Sequence, residues 1–355
     1  MGDGGREIGD WRLSRIVVFD LNNYGVGEFA ATCNRGWMVY GNPGVSGAGE
    51  TSVIIPDDVA AQNWLQLGRM VLVQHPKLPA WAGVIDTPWK ATLPVELTLY
   101  NAEYLFSLRS LEQAKGVSGS IPFIVSEMIR LMNEQEQMYL SPGNASGDTT
   151  IHEETLDQRT MWDQLVPLLE RSGFEMILRP ERGPGKQLQI YADVGQGLGA
   201  DTGFLLHDSE QGKNMTVVDA SVSERIVNRV MGVSGQSTTD EQLQTQVFED
   251  QASQGVYRTR SENVQFQNIV QLSTLEAYTQ SYLASAKQPY MDLTLAVMDV
   301  GDTFFHLRPG SRLLLRSSNV YLPGGVRGWS GTVRVLAMAY DEEQNVVQMK
   351  VRGIL

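Results

Sequence analysis

Apolar and polar residues alternate along Met291–Val297 (MDLTLAV), a period of two that gives a strand one apolar and one polar face. Val95–Tyr100 (VELTLY) alternates in the same way, and Val346–Val351 closes the chain as a further strand. Near the N-terminus Arg15–Phe19 (RIVVF), Glu28–Thr32 and Thr51–Ile55 (TSVII) read as strands, the last after a Gly-rich loop, GNPGVSGAGE. Asp58–Leu67 predicts a short helix or turn, with Asp57 or Asp58 as its cap, and Asn101–Leu111 turns towards helix.

The period changes in the middle third. Pro122–Gln137 sets Ile124, Met128, Leu131 and Met132 on one helical face. Thr160–Ser172 sets Met161, Leu165, Leu168 and Leu169 likewise and stops at Gly173, a C-cap residue. SPGNASGDTT, between these helices, reads as an exposed turn. Phe174–Arg179 and Gln187–Asp193 follow as strands joined by ERGPG. From Met215 the strand pattern returns for two segments. Gln236–Gln254 reads as a polar surface excursion, and Leu272–Ala286 as a helix with Leu275, Tyr278, Tyr282 and Leu283 on one side, ended by Pro289.

Two stretches repeat one grammar. Gly68–Asp86 and Leu307–Tyr340 each run from a glycine (Gly68, Gly310) through an apolar strand and a Pro-containing turn to Trp-x-Gly (Trp81, Gly83; Trp329, Gly331). A strand precedes each (Thr51–Ile55; Asp292–Val297) and a strand follows each (Val95–Tyr100; Val346–Val351). The expected fold is mainly β with an inserted α+β module: two similar antiparallel tube-type β domains per chain. The layout is a flexible arm at 1–10, a first β domain at 11–110, the α+β module at 111–200, and a second β domain at 201–355 with the excursion near 236–254. Such a duplication would let a trimer present six quasi-equivalent modules as a pseudo-sixfold ring.

Bulk properties narrow the function classes. The 355 residues carry a net charge of −13, which disfavours a dedicated nucleic-acid binder yet suits a wall that DNA slides past. Cys33 is the single cysteine, so neither an intrachain disulfide nor a cysteine zinc site is expected. No apolar run is long enough to span a membrane, and the polar N-terminus lacks a secretory h-region, so production in the cytoplasm is expected.

Candidate chemistry is weak everywhere. Gly195–Ala200 (GQGLGA) matches a dinucleotide fingerprint with Asp219 downstream, but neither a helix pattern nor a βαβ repeat surrounds it, so a linker is the better reading. His152-Glu153-Glu154 fails the H-E-x-x-H metal motif because residue 156 is Leu; His152 is expected near a helix start. His75, His207 and His306 are scattered. Gly232–Gly235 and Gly116–Gly119 lack the G-x-S-x-G spacing. The acid pairs Asp57/Asp58, Glu153/Glu154 and Glu342/Glu343 read as solvated turns. Trp81, Trp89 and Trp329 could stack on sugars, but packing on a sheet is the ordinary role of such residues. No catalytic, cofactor or metal residue is assigned.

In order, Trp81–Asp86 (WAGVID), Thr160–Leu178, Ser223–Gly235 (SERIVNRVMGVSG), Leu272–Pro289 and the closing run from Leu307 resemble tail hub proteins of tailed phages. The likeness covers most of Trp11–Leu355 and is to the siphovirus Gp37-like tail proteins, related in fold to baseplate hubs of contractile tails. It implies a non-enzymatic structural protein of the virion tail tip. It further implies a homotrimer that adapts a sixfold tail tube or distal tail protein above to a threefold tip or fibre protein below. The lumen would pass tape measure protein and then DNA, without specific binding. Because the sequence ends at Leu355, the lytic extension of many relatives is not expected. A glycan-binding adhesion protein, or a cell-wall hydrolase built on the carboxylates, are the alternatives.

Overall fold

The computed structural model describes residues 13–42, 50–90, 92, 94–183, 185–223, 225–235, 242–267, 269, 271–322 and 325–354. The expected arm at 1–10, most of the Gly-rich loop and the start of the expected excursion lie outside them.

The N-terminal part supplies β1 (Ser14–Phe19), β2 (Gly25–Ala31), β3 (Arg35–Met38), β4 (Glu50–Ile54), helix α1 (Asp57–Ala60), β5 (Met70–Gln74), β6 (Trp81–Lys90), β7 (Glu96–Asn101) and helix α2 (Tyr104–Ser107). All of these strands but β3 form an antiparallel sheet in the order β2-β1-β5-β6-β7-β4. Both faces of its centre are buried. Ile16, Val18, Val71 and Val73 point into one core, Val17, Phe19, Met70 and Leu72 into another. That is why RIVVF is an unbroken apolar run and not an alternating one. Pro56 stands at the N-cap of α1 with no side-chain cap bond, so neither Asp57 nor Asp58 caps it.

The middle part contains β8 (Lys115–Gly119), α3 (Ile121–Gln135), β9 (Leu140–Ala145), β10 (His152–Leu156), α4 (Met161–Ser172), β11 (Glu175–Arg182) and β12 (Leu188–Gly195). Thr160 caps α4 by accepting from the Asp163 N–H at 3.1 Å, and Gly173 closes it in the left-handed conformation. Helix α3 buries Ile121, Ile124, Val125, Met128 and Ile129, each contributing about 1.5–3 kcal/mol of transfer free energy. Two expectations are corrected. SPGNA is not a free turn: with Leu140 it forms β9, parallel to β12 at the sheet edge, where Pro142 lacks only a donor that the edge does not need. His152 opens no helix. It lies in β10, antiparallel to β8, with Glu154 and Leu156 also turned inwards.

The C-terminal part has β13 (Asp201–His207), β14 (Met215–Val222), β15 (Arg229–Ser234), β16 (Phe248–Glu249), α5 (Gln251–Tyr257), β17 (Ser261–Phe266), α6 (Leu272–Ala286), β18 (Tyr290–Met298), β19 (Arg312–Tyr321), β20 (Arg327–Asp341) and β21 (Val346–Ile354). Its main sheet runs β13-β19-β20-β21-β18-β14, and it curls until β14 approaches β19. β3 crosses over from the N-terminal part and pairs with β20, Arg35 opposite Tyr340 and Met38 opposite Ala337. Residues 242–254 are no loose excursion. Gln244 bridges to Val233, β16 pairs with β15, and α5 follows. With β17 and α6 they build an insert between β14 and β18 around Phe266, Ile269, Leu275 and Tyr278.

Candidate functional site

The two repeated stretches occupy matching places. Strands β4 to β7 lie in space as β5-β6-β7-β4, and strands β18 to β21 as β19-β20-β21-β18. The leading glycines agree in detail. Gly68 and Gly310 have φ of +81° and +80°, a region that L side chains enter at a cost of about 1–2 kcal/mol. The Gly68 N–H donates to the Ile85 carbonyl at 2.7 Å, and the Gly310 N–H to that of Val335 at 2.9 Å. The Ile85 N–H returns to Arg69, and the Val335 N–H to Ser311, each at 2.9 Å.

The tryptophans do not coincide. Counting from the glycines, Val73 matches Leu315, and their cross-strand partners are Trp81 and Gly331. Trp329 therefore sits two residues before the position that Trp81 holds. Trp-x-Gly has a local cause instead: residues i and i+2 share a strand face, so each indole lies along its own strand over the glycine that follows. A Cβ on Gly83 would come within 2.3 Å of the Trp81 ring, and one on Gly331 within 2.6 Å of Trp329. Trp329 also covers Gly353, while the Trp81 Nε1–H donates to Asn101 at 2.7 Å.

Surroundings separate the two halves. β1 flanks β5 antiparallel, whereas β13 flanks β19 in parallel. Gly68 faces open space, but Gly310 is pressed against the backbone of Leu198 and Gly199. This crossing explains GQGLGA. Gly199, at φ +106°, leaves no room for a Cβ beside Gly310, and β13 follows where a nucleotide site needs a helix. The Leu198 N–H donates at 3.0 Å to the Glu175 carboxylate, itself paired with Arg334, so an anion already occupies that donor.

One face of the C-terminal sheet is open. Met291, Leu293, Leu295 and Val297 of β18, with Val347, Met349 and Val351 of β21, point into the core. Gln348 and Lys350 point out, and Leu205 and Leu314 are register partners that stay 38% and 44% exposed on the outer side.

The main sheets are locked together by groups that no local motif announced. Arg35 and Glu342 pair at 3.1 Å with side chains 0% and 1% exposed. The Glu342 carboxylate also accepts from the Ser14 hydroxyl at 2.8 Å and the Cys33 N–H at 2.8 Å. The Arg35 guanidinium lies over the rings of Trp37 and Tyr340. Glu342 is thus a buried anchor and not half of a solvated acid pair. Beside it a cleft of about 530 Å³ is lined by His75, Lys77, Asp299 and Glu343 among others. Lys77 spans it to Asp299 at 2.6 Å. Burial, reinforced by Arg35, holds the His75 imidazole down at about 4, and its Nδ1 accepts from the backbone N–H groups of Lys77 and Leu78. A histidine so engaged is badly placed to act as a base. His207 lies at the end of β13, and His306 stacks on Phe204. Among the described residues no group of three or more His, Cys, Asp or Glu is placed to hold a metal ion, and no helix is long and apolar enough to cross a membrane.

No protein-family model matches the sequence, and no curated protein is significantly similar to it. Solved structures do match. The prophage tail protein gp18 from Listeria monocytogenes EGD-e superposes with a TM-score of 0.57 at 9% identity, over 96% of this chain and 94% of that one. The 43 kDa tail protein of prophage MuSo2 from Shewanella oneidensis gives 0.53 at 10% identity, over 96% and 98%. Nearly the full length of both is spanned. This mainly β chain with its inserted α+β module therefore has the fold of these prophage tail proteins.

Proposed function

We propose that this protein is a non-enzymatic structural component of a phage-type tail, the hub of a tail tip in the virion. Three chains would form a ring, each giving two β units, so that six similar sheets meet a sixfold tube or distal tail protein. The threefold side would receive a tip or fibre protein, and the lumen would carry tape measure protein and DNA. One observation carries the reading: two sheets in a single chain share the spatial strand order second, third, fourth, first, and in each the second strand follows a glycine with the same backbone hydrogen bond. The likeness to two tail proteins over nearly their whole length supports it. In this reading the first β unit takes 11–110, the module 111–200, and the second 201–355 with the β15–α6 insert interrupting it. The signature glycines shape the sheets and the tryptophans pack on them.

The test is the mass of the purified chain in solution by light scattering across a concentration series. A species of three times 39.3 kDa is expected. A monomer that persists at the highest concentration, and in assembled tails, refutes the hub. Binding of the monomer to cell-wall glycans would then favour an adhesion role.

A further inference from the structure

Where the insert meets the module, α6 packs on α4 and β10. The contact centres on two rings. His152 of β10, 4% exposed, stacks on the fully buried Tyr278 of α6 with centroids 5.2 Å apart and planes 13° from parallel. The Tyr278 hydroxyl donates to Glu154 of β10 at 2.5 Å, and Arg171 of α4 pairs with the same carboxylate. The Arg171 guanidinium also lies 5.2 Å from the Tyr278 ring centroid. From β17 Phe266 meets the tyrosine ring and Val264 packs on the same apolar cluster, and Asp148, before β10, acts on the imidazole electrostatically. The Nδ1 of His152 is buried without a hydrogen-bond partner among the described residues.

We propose that His152 is a pH-operated latch: protonating it below neutral pH releases α6 from the module and opens the seam between insert and module. Protonation makes both ring nitrogens N–H donors, and Nδ1 has no hydrogen-bond partner among the described residues, so a buried donor is left unmet, which is destabilising. It also places a second cation on a ring that already carries Arg171, while Glu154 is engaged by Arg171 and Tyr278. Burial first, then Arg171, holds the imidazole below its ordinary range, and Asp148 offsets this only in part. The opened state frees His152 to titrate at about 6.5. Between that value and the lower one of the closed state the open form binds more protons. The closed seam therefore weakens as pH falls through this window and is unaffected above it.

The test is hydrogen exchange by mass spectrometry on the full chain at pH 7.5, 6.5 and 5.5, corrected for intrinsic exchange. The opening constant of 272–286, relative to α3, should rise towards about tenfold per pH unit below about 6.5, the limit for one linked proton. His152→Gln should remove that slope. A flat wild-type profile, or an equal slope in His152→Gln, overturns the proposal. If His152→Gln does not fold, proton NMR of the wild-type histidines decides: a His152 titration at or above about 6.5 overturns it, and one below supports it. None of these readouts depends on the oligomeric state.

Discussion

Replacing Glu342 with Leu removes the carboxylate that, among the described residues, reaches Ser14, Cys33 and Arg35 together. The guanidinium stays behind in a place where its Nε and Nη2 already lack hydrogen-bond partners among the described residues. Breaking a buried ion pair on one side costs about 3–5 kcal/mol, because the remaining charge is neither hydrated nor balanced. With both side chains at most 1% exposed, the reduction that applies to surface pairs does not apply here. The loss of an acceptor for Ser14 and Cys33 places the expected value in the upper half, about 4–5 kcal/mol. Urea unfolding followed by tryptophan fluorescence measures it, since Trp37 stands beside Arg35. The double variant Arg35→Met/Glu342→Leu should return to within about 1 kcal/mol of wild type, as apolar replacements of buried pairs often do. A loss below about 1 kcal/mol in Glu342→Leu, or a double variant as unstable as the single one, would refute the anchor.

Two further outcomes are expected. Gly68→Ala meets only backbone strain and should cost about 1–2 kcal/mol, whereas Gly310→Ala adds a clash 2.5 Å from the Leu198 carbonyl and should cost at least about 1 kcal/mol more in the same urea assay; equal costs would deny the close crossing. Burial pushes the Cys33 thiol up to about 12, so the native protein at pH 8 should resist thiol reagents far longer than the unfolded chain, and Glu342→Leu should shorten that time. Immediate labelling of the native protein would contradict it.

What the sequence revealed was whatever depends on neighbours in the chain. The α4 stop at Gly173 and the β18 and β21 alternation are local signals present in the structure, and of the expected α6 face Leu275 and Tyr278 are buried while Tyr282 and Leu283 are only half-buried. SPGNA concealed an edge strand because turn residues are tolerated where a ladder has one free side. His152 misled because two glutamates beside it suit a helix start as well as a strand between a module and an insert. Trp-x-Gly marked both repeats but through packing within each strand, so its register was free to drift by two. Arg35 and Glu342 gave no signal, being 307 positions apart with no local pattern to pair them. The closeness of Gly199 to Gly310 was equally hidden, although both glycines were noticed singly.

The crossing of β3 sets an order on synthesis. Arg35–Met38 finds its partners only when Ala337–Tyr340 has been made, so the first strands of the chain wait on nearly the last. Contacts of such sequence separation make folding slow. Until they form, β20 offers an unpaired edge along its second half, and Arg35 has no carboxylate. A nascent chain cannot complete its C-terminal sheet alone, and a ribosome that stalls before residue 337 leaves a product whose two β units are not yet stitched together.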